Sequence, residues 1–362
     1  MLSGRRKVVL VVILVLVAGA LLYQGRGVLS HSKLSGQELL KAMRGARISL
    51  LLLSVALIYC CYALRALRWM RFSQHIGPAS FWNIYGMTLA GFSVLFLLGR
   101  AADPIRPLLL ARKERQPVAD TFGIYALERL FDTASTAVIA AIGLLLLRVP
   151  DDASEVTRDL QRAARSVGVG LCAGVLAVVV VLVYLRLHGS ALLERRLESA
   201  RALHGLRGSI ARIVLGFLRG VQTIKSWGDL FAAVFFSAAH WGLIALIYAL
   251  VSQSFGGQLA SIGLSQATLV MAFSIVGSTV QLPAIGGGSQ AGSFLAYTAI
   301  FGVEKEPALV AAIVLWLITF ASCTLTGVPL LIREGVSLGD LRRMTHQPQV
   351  SPDEAGGGRS GA

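Results

Sequence analysis

Two stretches of this sequence carry side chains capable of chemistry. The first reads Gly99-Arg100-Ala-Ala-Asp103-Pro-Ile-Arg106-Pro-Leu-Leu-Leu-Ala-Arg112 and is followed by Glu128-Arg129-Leu-Phe-Asp132. Glu128 and Asp132 are four residues apart, so a helix places them on one face. Ionisable groups inside a membrane span are costly and face a cavity or a partner. An arginine fork bonds two phosphate or carboxylate oxygens at once. The pattern predicts that Glu128 and Asp132 pair with Arg100, Arg106 or Arg129 and shape a cationic pocket at the cytoplasmic end, fitted to a lipid phosphate. The plainer alternative is that these charges only fasten 99–112 to its neighbours.

The second stretch is Gln281-Leu-Pro283-Ala-Ile-Gly286-Gly287-Gly288-Ser289-Gln290-Ala-Gly292-Ser293. Pro283 breaks a helix, and the glycines let backbone approach a ligand or another helix closely. Amides exposed in such a break coordinate anions. Gly286, Gly287, Gly288 and Gln290 therefore join Arg100, Asp103, Arg106, Glu128, Arg129 and Asp132 as candidate substrate contacts, with tight helix packing as the alternative. No lysine follows the glycines, unlike a nucleotide-binding P-loop. His240, beside Trp241 in an apolar run, reads as an isolated hydrogen-bonding group. Cys60, Cys61, Cys172 and Cys323 all sit in apolar runs and read as fillers of helix interfaces. The sequence assembles no catalytic Ser/His/Asp set, carboxylate pair or metal-ligand constellation, so no catalytic residue, metal or cofactor is expected.

The elements that hold these residues follow from composition. The 362 residues are 55% hydrophobic and 15% charged, where soluble chains carry roughly a quarter charged residues. The excess of 34 Lys+Arg over 19 Asp+Glu gives a net charge of +15. With this apolar content, that charge points to an anionic membrane surface and not to nucleic acid, whose recognition motifs are missing. An all-α polytopic membrane protein is expected. Apolar runs cover 8–23, 48–64, 84–98, 122–147, 167–186, 231–251, 266–283, 289–303 and 308–332. A full span needs roughly 20 residues, so 84–98 and both members of the 266–283/289–303 pair are short.

Basic residues in loops orient the chain. The 187–230 connection carries seven and 252–265 carries none, which makes the first cytoplasmic and the second external. The stretch 266–303 then begins and ends outside, as two thin spans or one re-entrant hairpin. With a cytoplasmic Arg5-Arg6-Lys7 and a cytoplasmic 65–83 loop, 84–98 dips in and returns on the same side. The rival topology turns the N-terminus outward and makes 84–98 a full span. The favoured reading gives six full helices plus two broken segments entering from opposite faces, a hallmark of transporter binding sites. Residues 1–343 form one transmembrane domain and 344–362 a disordered cytoplasmic tail. A capping box at Ser35-x-x-Glu38 and an amphipathic stretch at 203–224 predict two short helices, lying in the headgroup plane or packed on the bundle.

Several of these motifs together resemble the flippase-like membrane family named after the transmembrane region of lysylphosphatidylglycerol synthase. The resemblance spans roughly 8–333. It is carried by Arg65-x-x-Arg68-Trp69, by Gly99…Asp103-x-x-Arg106-x-x-Leu109-Leu110-x-Arg112, by Glu128-Arg129-x-x-Asp132 and by the Pro283 glycine break. It implies a helical bundle with re-entrant helices and a lipid translocase, since relatives move an aminoacylated phospholipid or handle polyprenyl-linked sugars or hopanoids. One departure stands out. The family often carries a glutamate after the glycine break, whereas Gly286–Gly292 holds no carboxylate, which argues against a lysyl-lipid substrate. No soluble aminoacyl-transferase domain is legible in the sequence, so lipid synthesis is not expected of it.

The expected function is translocation or binding of an anionic phospholipid or polyprenyl-linked lipid in the bacterial inner membrane. Membrane lipids are the expected partners; nucleic acid is not one, and a homo-oligomer or an envelope-lipid enzyme is a possible assembly. The alternatives are a membrane-embedded transferase using a lipid-linked donor, with Asp103 as its candidate carboxylate, and a non-catalytic partner of such an enzyme.

Overall fold

The computed structural model describes residues 45–99, 102–145, 155–188, 224–279, 281–282 and 286–335. The expected N-terminal span at 8–23, the Ser35 capping box, Arg100, Pro283, the amphipathic stretch up to residue 223 and the tail from 344 lie outside the described residues.

Within them the protein is helical almost throughout. The helices are α1 (Ile48–Ser73), α2 (Phe81–Leu98), α3 (Ile105–Glu114), α4 (Val118–Leu145), α5 (Glu155–His188) and α6 (Trp227–Ser254). They continue with α7 (Leu264–Gly277), α8 (Gly288–Leu295), α9 (Lys305–Trp316) and α10 (Thr324–Arg333). A π-helical turn at Leu317–Ala321 lies between α9 and α10, within a 29-residue run over Lys305–Arg333. That run, α1, α2 and α6 are long and apolar enough to cross a bilayer. α4 has the length, at 28 residues, but bears Glu128, Arg129 and Asp132 in its middle. This is a multi-pass α-helical membrane protein.

Hydrogen bonds fix the direction of each element. α1 and α6 run antiparallel. At one end of the bundle the Arg47 amide donates to the Ser254 carbonyl at 2.8 Å. At the other, Lys225 Nζ donates to the His75 carbonyl at 3.3 Å and His75 Nε2 lies 3.0 Å from Asp229 Oδ2. Ser226 and Asp229 close a capping box that starts α6 at that end.

The short segment after α1 is a re-entrant hairpin. α2 is 18 residues, about 27 Å of helix, and it is the return of the chain to its starting end, not its length, that makes the hairpin. It stops at Gly99, whose φ of 82° is in the left-handed region. α3 then returns, and the two open ends are stitched together. The Ser80 amide donates to Glu114 Oε2 at 2.8 Å. The Gln116 amide group donates to the Pro78 carbonyl at 2.7 Å, and its oxygen accepts from Ser73 Oγ at 2.6 Å. The limbs pack so closely that a side chain at Gly91 would lie 2.6 Å from Cβ and Cγ of Arg106.

The second short segment is built the same way from the opposite end. α7 descends over 14 residues, about 21 Å. The chain reverses through a two-residue antiparallel pairing of Gln281-Leu282 with Gly286-Gly287, and α8 climbs back through a π-helical turn at Ala296–Ile300. The Glu304 amide donates to Gln258 Oε1 at 2.9 Å, which brings both ends of this hairpin to the Ser254 end. Both ends of 266–303 therefore lie on one side, as either option for that stretch requires. Both tips converge on Trp316: the Phe96 ring of α2 lies 5.5 Å from its ring, tilted by 39°, and a side chain at Gly286 would collide with its indole nitrogen.

One boundary departs from the sequence reading. The expected loop 65–83 is helical to Ser73, so Arg65 and Arg68 are not loop charges but are buried within α1. The apolar run ends at residue 64 because two cations follow it; the helix continues because α4 supplies the counter-charges that make their burial tolerable.

Candidate functional site

α4 places Glu128 and Asp132 on one face, turned inward, and both are buried. Arg65 and Arg68, one turn apart on α1, meet them. Arg65 Nη2 lies 2.7 Å from Glu128 Oε1 and 2.6 Å from Asp132 Oδ2. Arg68 Nη2 lies 3.1 Å from Glu128 Oε1 and 2.7 Å from Asp132 Oδ1. Arg106, on α3, pairs with Glu128 Oε2. Its guanidinium sits 5.0 Å from the Trp69 ring centroid, 5.2 Å from Phe92 and 5.5 Å from Tyr125, and aromatic faces stabilise a desolvated cation. Arg129 reaches Asp132 at 3.1 Å and Asp103 at 3.7 Å, and the Tyr125 hydroxyl donates to Asp103 at 2.5 Å.

α6 closes the cluster. Arg68 Nη1 donates to Ser237 Oγ at 2.6 Å, and Arg65 Nη1 lies 3.2 Å from His240 Nε2. Because a guanidinium only donates, His240 Nε2 accepts, and its Nδ1–H donates to the Cys61 carbonyl at 3.2 Å. His240 thus holds the hydrogen-bonding place the sequence suggested. Among the described residues, Arg65, Arg68, Arg106 and Arg129 face Asp103, Glu128 and Asp132, four guanidiniums against three carboxylates.

The expected partners Arg106 and Arg129 do pair with these carboxylates, while Arg100 lies outside the described residues. The reading of the charge stretch left out Arg65, Arg68, Tyr125 and Ser237. Arg65 and Arg68 bond both carboxylates from 60 to 67 positions away in sequence. The i, i+3 arginine pair on the polar end of an apolar run was the available signal.

The cluster is not sealed. A cavity of about 380 Å³ lies against it, between the two hairpin tips, lined on its charged side by Arg65, Asp103, Arg129, Asp132 and His240. Arg129 keeps 34% of its side chain exposed, compared with 1% for Arg68 and 2% for Arg106 and Glu128. Arg68, Arg106 and Glu128 are therefore the buried anchor of the site, and Arg129 is its accessible cation. Thr133, one turn beyond Arg129 on α4, lines the cavity and is exposed.

The glycine break belongs elsewhere. Gly286, Gly287, Gly288 and Gln290 are not among the cavity-lining residues. They build the reversal between α7 and α8. Gly286 and Gly287 take φ values of 78° and 96° that L side chains rarely adopt, and the Gly287 amide is satisfied by Gln290 Oε1 at 2.6 Å. A Cβ at Gly277 would strike the Gly288 carbonyl and one at Gly292 the Phe273 carbonyl. In this geometry the stretch serves close helix packing, and the two candidate clusters do not share one site. The hairpin reaches the cavity through Ser278, Met271 and Ile275. Two of the cysteines, Cys61 and Cys323, fill interfaces as expected; Cys60 and Cys172 are exposed, which corrects that reading for them. No cluster of three His, Cys, Asp or Glu that could hold a metal occurs among the described residues.

A bundle with two opposed re-entrant hairpins around a buried guanidinium–carboxylate cluster defines a class of multi-pass membrane protein. The chain belongs to the family described as the lysylphosphatidylglycerol synthase TM region, which matches residues 7–327. No curated protein matches it.

Proposed function

We propose that the protein binds the phosphate of an anionic lipid headgroup in the cavity between its hairpin tips and passes it between the leaflets of a bacterial inner membrane. The observation that carries this reading is the cavity's position: mid-bundle, against a cation-rich cluster, with Arg129 and Arg65 in its wall. Re-entrant segments at membrane depth are tolerated where protein or a wet cavity surrounds them, and hairpins from opposite ends meeting at a site suit alternating exposure to the two sides. The end bearing Asp229, His75 and Lys225 is the cytoplasmic one in this reading, in keeping with the basic 187–230 connection. The family supports a membrane-lipid role in general terms.

The test is leaflet exchange of a fluorescent anionic phospholipid in proteoliposomes holding the full chain. Arg129→Gln removes the accessible cation and leaves the closer pairs of Glu128 with Arg65, Arg68 and Arg106 in place, and at least tenfold slower exchange is expected, since a charge-assisted hydrogen bond is worth about 1.5–3 kcal/mol. Unchanged exchange in a folded Arg129→Gln protein removes the pocket from the mechanism. The transferase alternative needs a carboxylate free to act at Asp103, which instead accepts from Tyr125 and faces Arg129.

A further inference from the structure

The cavity has a second polar wall that the guanidinium cluster leaves unused. Tyr248 on α6 and Thr319 in the π-helical turn line it, as does Trp241. Both hydroxyl protons are already engaged: Tyr248 donates to Ser274 Oγ at 2.8 Å, and Thr319 donates to the Leu315 carbonyl at 2.7 Å. A hydroxyl has one proton and two lone pairs, so these two groups present acceptors to whatever enters. The Trp241 Nε1–H is buried and has no hydrogen-bond partner, so it is a donor. Tyr248 lies eight residues beyond His240 along α6, a rise of about 12 Å from the guanidinium cluster.

A ligand filling both ends of this cavity puts an anion at Arg129 and, further along, groups that donate to Tyr248 and Thr319 and accept from Trp241. A hydroxyl does both with a single group. An ammonium group donates but cannot accept, and it brings a positive charge beside four guanidiniums. Among the described residues none of the nearby carboxylates is uncommitted: Glu128 and Asp132 are held by arginines, and Asp103 by Tyr125 and Arg129.

We infer that the headgroup carried by this cavity is an uncharged polyol on a phosphate, with its hydroxyls on Tyr248, Thr319 and Trp241. The inference rests on the headgroup-binding reading above and deepens it, separating polyol phospholipids from amine-bearing ones. The test is native mass spectrometry of the detergent-purified full chain titrated with phosphatidylinositol, phosphatidic acid and phosphatidylethanolamine. Phosphatidylinositol is expected to bind on the order of tenfold tighter than phosphatidic acid, two hydroxyl contacts contributing several-fold each, and phosphatidylethanolamine weakest of the three. Reading the inositol-to-acid ratio within each variant cancels any general loss of folding. That ratio is expected to fall several-fold in Thr319→Val and Tyr248→Phe and to recover in Thr319→Ser. Equal binding of the two anionic lipids, or a ratio indifferent to these variants, overturns the polyol assignment while leaving phosphate binding in place. Failure of both anionic lipids to outbind phosphatidylethanolamine overturns the polyol assignment and the headgroup reading together.

Discussion

Glu128→Gln isolates what holds the site together. The carboxylate serves Arg65, Arg68 and Arg106 at once, with 2% of its side chain exposed. Each such pair is worth about 4 kcal/mol at an effective dielectric of 20, so three amount to about 12 kcal/mol of gross attraction. The several kcal/mol needed to desolvate each ion offsets most of this, and removal of one member of a buried pair typically costs about 3–5 kcal/mol. The amide is isosteric, so the loss reports the charge and not a cavity. Asp103→Asn is the internal control: its side chain is 22% exposed and 3.7 Å from Arg129, and the asparagine oxygen still accepts from Tyr125, so its effect is held to about 1 kcal/mol. The assay is equilibrium unfolding in mixed micelles by SDS titration. A second arm combines Glu128→Gln with Arg106→Gln. Because the double variant removes a charge of each sign, its cost is expected to fall short of the summed single costs by about 1–3 kcal/mol. The reasoning is refuted if Glu128→Gln costs no more than Asp103→Asn, or if the two single effects simply add.

Three further outcomes follow from the hairpins. Gly91→Ala is expected to push Arg106 off Glu128, because the new Cβ would lie 2.6 Å from its Cβ and Cγ; a destabilisation of about 1–3 kcal/mol in the same unfolding assay checks this. Gly277→Ala is expected to separate α7 from α8, since its Cβ would meet the Gly288 carbonyl, where no side chain can yield; a folded, monodisperse peak on size-exclusion chromatography would count against it. In a cysteine-free background, single cysteines at Gln74 and Arg115 are expected to react with an impermeant maleimide from one side of the membrane. Those at Ser261 and Lys305 are expected to react from the other; labelling of either pair from both sides breaks the re-entrant topology.

Much of this architecture is already determined by the amino-acid sequence. Composition alone places the chain in a bilayer, because so much apolar surface has no other stable environment. The shortness of 84–98 and of 266–283 and 289–303, set against a fixed hydrocarbon thickness, already singles these segments out, with a dip or a full span open for the first and a hairpin or two thin spans for the second. The spacing of Glu128 and Asp132 already puts two carboxylates on one helical face. Only the tertiary structure decided which cations meet them. Arg65 and Arg68 follow an apolar run and read locally as the charged margin of a loop; burying them becomes tolerable solely because α4 delivers its carboxylates to the same depth, and that encounter is a long-range event invisible to local pattern. The same holds for the glycine break. Its composition suits an anion cradle and a tight crossing equally well, and the tertiary structure shows the close packing, since the carbonyls of Gly288 and Phe273 occupy the space that a Cβ at Gly277 or Gly292 would need.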